Sequence, residues 1–193
     1  MERTLLLTGF EPFLDVAVNP SGLVARAMDG ERLGSCGLRL RGVELPVSFA
    51  RAPEALRGAA AALGSGLAGI VSLGVHRGPE FRLEQRAGAR FESTQPDNDG
   101  VLGGTVILEG PAERRPGADL VALRALLSAA GAGRTSLSND AGGYLCERVF
   151  REGLDLGVEN GITALFLHVP PLEHVPATHQ AQVVHDWLAS WFR

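Results

Sequence analysis

The sequence predicts an α/β protein, a single domain over residues 1–193 built as an α/β sandwich around a mixed, largely parallel central sheet. Three observations carry that expectation. Apolar runs of strand length alternate with amphipathic helical stretches from one end of the chain to the other. The runs are continuous rather than alternating in polarity, as strands covered on both faces are. With 193 residues, 45% of them apolar and 21% charged, the chain can bury one sizeable core, and no linker, repeat or low-complexity tract divides it.

Residues 4–8 form the first buried strand, and a Gly-Phe-Glu-Pro-Phe loop follows. Residues 20–28 read as a helix, with Asn19 as N-cap and Pro20 near the first position, where a missing N–H costs nothing. Residues 38–47 read as a strand, the alanine-rich 52–63 as a helix, and 69–75, rich in Ile, Val and Leu, as a strand. Residues 81–91 interleave Arg82, Glu84, Arg86 and Arg90 with apolar positions, which suits an edge or partly exposed strand. Residues 96–100 (Pro-Asp-Asn-Asp-Gly) are a turn by composition. A helix over 119–129, a strand over 135–139, a helix over 144–156 and a strand over 162–168 come next. The closing helix, 178–192, carries Val183, Val184, Trp187, Leu188 and Trp191 at helical spacing, a stripe suited to a core or to a subunit interface.

Composition excludes several functions. The chain contains no lysine, so Schiff-base, pyridoxal-phosphate, P-loop and Ser-Lys chemistries are closed to it. A net charge of -4 without a basic run argues against nucleic acid and anionic membrane as partners. No apolar stretch approaches a membrane span, and the first residues are too short and acidic for a signal peptide. Cys36 and Cys146 make no disulfide framework. A cytoplasmic protein with a free Cys146 thiol is expected, with Cys36 buried and inert. No pair of His or Cys has a convincing zinc-ligand spacing, so neither metal nor cofactor is expected.

The chemistry centres on Cys146. It lies just after the polar turn Ser138–Gly143, at the start of a helix, where the positive end of the dipole favours thiolate. His168 closes the strand run 162–168 and is the candidate base, with His76 as its rival. Glu84 is the candidate group that orients the base, with Glu80 as the alternative. Phe10 and Phe13 flank a proline in a loop and suit either the core or an apolar ligand pocket. Taken singly, Cys146 also reads as a small buried hydrophobe, His168 as a core histidine and Glu84 as an exposed strand charge. Strand carboxyl ends are where functional groups collect in open α/β sheets, and all five residues fall near such ends.

Together these segments resemble one family, pyroglutamyl peptidase I. The resemblance rests on Leu7-Thr8-Gly9-Phe10-Glu11-Pro12-Phe13 with Asn19-Pro20-Ser21, Leu45-Pro46-Val47 with Phe49, and Gly74 through Glu84. It continues through Pro96-Asp97-Asn98, Ser138-Asn139 with Ala141-Gly142, Tyr144 and Cys146, and Phe166-Leu167-His168-Val169-Pro170. The resemblance implies removal of an N-terminal pyroglutamyl residue from small peptides, with Cys146 as nucleophile, His168 as base and Glu84 as orienting acid. It implies Phe10, Phe13, Asn19 and Leu145 as substrate-binding residues. It also implies an α/β/α sandwich like that of nucleoside phosphorylases, assembled as a homodimer or homotetramer. Three departures stand out: Leu14-Asp15 where the family has Gly-Gly, Gln85 after the glutamate where it has Arg, and Glu147 after the cysteine where it has Asn. As the helix continues past it, Glu147 is expected to face solvent. A cysteine amidase of other substrate range and a non-catalytic pyroglutamyl-binding protein remain as alternatives.

Overall fold

In a computed structural model of the chain, residues 3–14, 16–34 and 37–193 are described. The expectation for Cys36 falls outside them. The elements are β1 (Thr4–Phe10), α1 (Pro20–Ala27), β2 (Arg32–Leu33), β3 (Leu38–Leu45), α2 (Arg51–Leu63), β4 (Leu67–Val75), β5 (Phe81–Glu84) and β6 (Ala87–Gly88). There follow β7 (Arg90–Pro96), β8 (Leu102–Ile107), β9 (Glu113–Arg114), α3 (Leu120–Ala129), β10 (Thr135–Ser138), α4 (Leu145–Asn160), β11 (Thr163–Val169) and α5 (Ala177–Trp191).

Seven strands form the central sheet in the order β10-β5-β11-β4-β1-β3-β2. The pairs β1–β3, β1–β4, β4–β11 and β5–β10 are parallel, and β5–β11 and β2–β3 antiparallel. The sheet is therefore mixed and mostly parallel, as expected.

Side-chain alternation divides the core into two layers. Leu5, Leu7, Val71, Leu73, Leu165 and Leu167 pack with α1, α3 and α5, whose Trp187 is fully buried and donates Nε1–H to the Leu123 carbonyl at 3.0 Å. Leu6, Ile70, Ala164 and Phe166 face α2 and α4. The alternation that puts Phe166 on the α4 side puts His168 there too.

Two expectations are corrected. Residues 81–91 are not one edge strand. Phe81–Glu84 lies inside the sheet between β10 and β11, with Glu84 fully buried, and the chain then leaves to form β6 and β7. Strand β7 pairs antiparallel with β8 in a separate ribbon, closed by a turn at Asp97–Gly100. The nucleophile helix runs on to Asn160 rather than stopping at 156, and ends at Gly161 in the left-handed region (φ 65°), a usual glycine stop.

Two glycines have steric reasons. A Cβ on Gly9 would lie 2.1 Å from the Ser21 carbonyl oxygen, so only glycine lets α1 start against β1. A Cβ on Gly74 would lie 2.9 Å from both Cys146 Sγ and the Phe166 ring, so this glycine leaves room for the thiol.

Candidate active site

Cys146 is the second residue of α4, which no side chain caps. The turn before it is shaped by Gly142 (φ 97°) and Gly143 (φ 63°), consecutive left-handed positions suited to glycine. Ser138 and Asp140 brace this turn, Asp140 Oδ1 accepting the Gly142 N–H at 2.9 Å. The N–H groups of Leu145, Cys146 and Glu147 thus open the helix without side-chain acceptors, an anion-binding arrangement.

His168 enters by a different route. Its strand neighbour on β4 is Gly74, the residue against which the Cys146 sulfur rests, so imidazole and thiol share one sheet face. Its other neighbour, on β5, is Arg82. Diagonally placed Glu84 presents Oε1 to His168 Nδ1 at 2.8 Å, with both residues buried. An ionised Glu84 accepts only, so Nδ1 carries the hydrogen and Nε2 is left as the basic nitrogen. Arg82 Nε also donates to Glu84 Oε1, at 3.2 Å, and its Nη2 reaches the Asp140 carbonyl at 3.3 Å, in the turn that leads to the thiol. Among the described residues, Glu84 Oε2 has no hydrogen-bond partner.

The alternatives weighed for base and orienter fall elsewhere. His76 stands against His168, with ring centroids 5.7 Å apart, but both its ring nitrogens serve its own turn. Nδ1 accepts the Gly78 N–H at 3.2 Å, and Nε2 lies 2.6 Å from the Glu80 carbonyl. Burial lowers its pKa, opposed by the Glu80 carbonyl and reinforced by His168 and Arg82. Glu80 contributes its carbonyl to that turn, while the carboxylate on His168 is that of Glu84.

Two electrostatic expectations are corrected. The thiol is not held as thiolate. Desolvation, then the carboxylates of Glu84 and Glu147, push it up to about 12, against a smaller lowering by Arg82 and its own backbone N–H. The dipole supplies only partial charges, and loss of water outweighs them. Glu147, in turn, does not face solvent. It is half-buried and accepts the Gly88 N–H at 2.6 Å, tying α4 to β6. Burial raises its own pKa.

Beside the thiol is a small apolar pocket lined by Phe10, Phe13, Asn19, Val47, Val75, Tyr144, Leu145 and Cys146. The expected binding residues Phe10, Phe13, Asn19 and Leu145 are all there. Asn19 is mostly committed inward. Its Oδ1 accepts from Ser21 N and Oγ (3.1 and 2.8 Å), and its Nδ2 donates to the Glu11 carbonyl (3.1 Å), which pins the loop holding the two phenylalanines. Glu11 Oε1 accepts from Val47 N–H at 2.9 Å and Asn98 Nδ2 at 2.8 Å, fixing the opposite wall.

Tyr144, Val47 and Val75 were not singled out as binding residues. Tyr144 packs edge-on to Phe49 (5.3 Å between ring centroids) and donates its hydroxyl to the Pro96 carbonyl at 2.9 Å. Its place directly before Leu145 and Cys146 was the available signal. Among the described residues, no group of three or more His, Cys, Asp or Glu is placed to hold a metal ion.

A thiol opening a helix beside a carboxylate-oriented imidazole, in a mixed α/β sandwich, marks the protein as a hydrolase of the cysteine peptidase class. Comparison with known proteins narrows the class. Residues 3–185 match the family model described as pyroglutamyl peptidase, and the chain belongs to that family. A pyrrolidone-carboxylate peptidase of Chromobacterium violaceum is 34% identical over 179 residues, covering 92% of this chain and 82% of the relative. One from Pseudomonas fluorescens is 32% identical over 187 residues (95% and 86%). The pyrrolidone carboxyl peptidase of Thermococcus litoralis superposes with a TM-score of 0.87 at 23% identity, covering 96% of this chain and 91% of that one, which shows a shared fold.

Proposed function

We propose that the chain is a cysteine exopeptidase that hydrolyses the N-terminal pyroglutamyl residue from small peptides, with Cys146 as nucleophile, His168 as general base and acid, and Glu84 as the group that orients His168. The observation that carries this reading is the buried Glu84–His168 hydrogen bond of 2.8 Å on the sheet face against which the Cys146 sulfur rests. Family membership supplies the substrate.

A thiol with a pKa near 12 is protonated at neutral pH. Proton transfer to His168 Nε2 therefore accompanies attack of sulfur on the pyroglutamyl carbonyl. The oxyanion forms at the uncapped N–H groups of α4. His168 then gives its proton to the departing amine as the C–N bond breaks. Water, deprotonated by His168, cleaves the thioester, and the thiol returns. Sulfur, imidazole and water suffice, so no cofactor is invoked.

The flat, neutral lactam ring suits the faces of Phe10 and Phe13, and its N–H and C=O need partners from backbone at the pocket wall. A site that satisfies both rejects prolyl substrates, which lack the ring carbonyl and carry a charged amine. Free space in the pocket is about 20 Å³, room for about one water. The ring therefore enters by displacing a wall. Partly exposed Phe13, on a turn where it and Val16 exchange two backbone hydrogen bonds, is the wall best able to move.

The match over residues 3–185 supports one peptidase domain. No helix among the described residues is long and apolar enough to cross a membrane. With a net charge of -4 and a free Cys146 thiol, this supports a cytoplasmic enzyme acting on peptides rather than on nucleic acid or membrane. A homodimer or homotetramer is the assembly the family resemblance supports.

Hydrolysis of a fluorogenic pyroglutamyl amide, with the prolyl amide and Cys146→Ala as controls, tests the reading. Release from the pyroglutamyl compound alone, lost in the folded variant, is expected. Release retained in Cys146→Ala removes the nucleophile assignment. The rival reading is a protein that holds pyroglutamyl ends without cleaving them. That rival requires binding of a pyroglutamyl amide with no release from it.

A further inference from the structure

A second cavity, of about 540 Å³, adjoins the thiol pocket through the shared residues Phe13 and Val75. Its volume lies within the range of small-ligand sites. Its walls include apolar Val16, Val18, Pro171 and Leu172, and among the described residues it holds two charged side chains, Arg77 and Glu173.

Its position follows from the order of the chemistry. The acyl ring occupies the small pocket, and the departing amine must leave on the side of the imidazole that protonates it. His76, whose ring stands 5.7 Å from that of His168, lines the second cavity. The cavity thus begins where the leaving chain has to go. Buried Gln180 holds its far wall by donating Nε2–H to the carbonyls of Pro170 (2.9 Å) and Val175 (2.7 Å), at either end of the loop that carries Pro171, Leu172 and Glu173.

The two charges differ in commitment. Glu173 is 76% exposed and lies 3.8 Å from His174. Arg77 follows directly on His76 and has no hydrogen-bond or ion-pair partner among the described residues. The exposed Arg77 guanidinium, next in sequence to His76 on the cavity wall, offers a fork for a carboxylate.

We propose that this cavity seats the released part of the substrate and that Arg77 pairs with a carboxylate in it, so that the preferred substrates are short pyroglutamyl peptides ending in a free carboxylate within the cavity. The proposal rests on the pyroglutamyl reading of the adjoining pocket. It makes Arg77 a specificity residue and leaves the chemical step to the groups on the sheet face.

The test compares pyroglutamyl-leucine with pyroglutamyl-leucinamide in the intact protein, in Arg77→Gln and in Glu173→Gln. The ratio of the two kcat/KM values cancels any general loss of activity. The wild-type ratio should favour the free acid. Arg77→Gln should reduce it about two- to five-fold, the worth of a partly solvated ion pair. Glu173→Gln should leave it equal or raise it. A ratio unchanged in Arg77→Gln overturns the proposal. Binding of the same two compounds to Cys146→Ser by calorimetry gives an answer independent of turnover. Tighter binding of the free acid, lost on adding Arg77→Gln, supports the subsite even if the enzymatic reading fails. Equal binding of both compounds overturns it. Turnover of neither compound, with binding of both retained, counts against the peptidase reading instead.

Discussion

In the proposed mechanism three residues set how the thiol works, and each is separable by substitution. Glu84→Gln keeps the shape of the orienting group but removes its charge. His168 can then present the wrong tautomer, and kcat should fall about 10²- to 10⁴-fold with little change in KM. Arg82 acts through Glu84, sharing its Oε1 with His168 and bracing the turn before Cys146 at Asp140. Arg82→Met should lower kcat and move the pH–rate profile to higher pH, because Arg82 lowers the Cys146 pKa and its removal raises it. Arg82→Lys should restore part of both, whereas a loss of activity without a profile shift reduces Arg82 to a structural brace. Glu147→Gln retains an acceptor for the Gly88 N–H while deleting a charge that raises the Cys146 pKa. Removing that charge lowers the thiol pKa. The pH dependence of iodoacetamide alkylation should therefore shift to lower pH, and an unshifted curve would show that Glu147 has no part in setting the thiol.

At the scale of elements, the loop after β1 carries one of the departures that the family resemblance picks out, and Leu14 shows its backbone cost. Leu14 sits at φ 46°, the only non-glycine residue with positive φ among those described. A side chain in that region costs about 1–2 kcal/mol. Glycine would relieve the strain but loosen the unfolded chain, so Leu14→Gly should leave Tm nearly unchanged. It should free the Phe13 wall and lower KM for a pyroglutamyl amide, a change that steady-state kinetics would detect. Such contrasts also explain what was legible. Strands β1, β4 and β11 were visible because their apolar runs are buried on both faces. Segment 81–91 misled because an internal strand carrying Arg82 and Glu84 looks like an edge. Its polarity belongs to the site, not to solvent. Strands β8 and β9 were not anticipated, since Leu102 and Ile107 are 64% and 71% exposed and the ribbon pairs away from the main sheet. The end of α4 was misplaced because Gly157 looks like a stop. In the fold it allows close approach to the Ile162 carbonyl, 3.0 Å from where a Cβ would stand.

Across the whole molecule the sheet separates stability from chemistry. Every residue of the pocket beside the thiol lies at the end of the sheet or on its α2/α4 side, whereas α1, α3 and α5 close the opposite face. On that opposite face Ser21 of α1, whose hydroxyl accepts the Phe10 N–H at 3.0 Å, and Gln180 of α5 reach toward the site, so damage elsewhere on α3 and α5 should lower Tm without altering turnover. Trp187 is the sharpest probe, because it is fully buried among Leu123, Val183, Val184 and Leu188 and spends its one N–H on the Leu123 carbonyl. Trp187→Phe removes that hydrogen bond and opens a partial cavity, for a loss of about 2–4 kcal/mol. In a domain of this size each kcal/mol lowers Tm by about 2–4 °C. Thermal unfolding should therefore shift down by roughly 4–16 °C, while kcat and KM measured well below the transition stay at wild-type values. A change in KM without a fall in Tm would mean that the sheet transmits packing from one face to the other, and that the two layers are not independent.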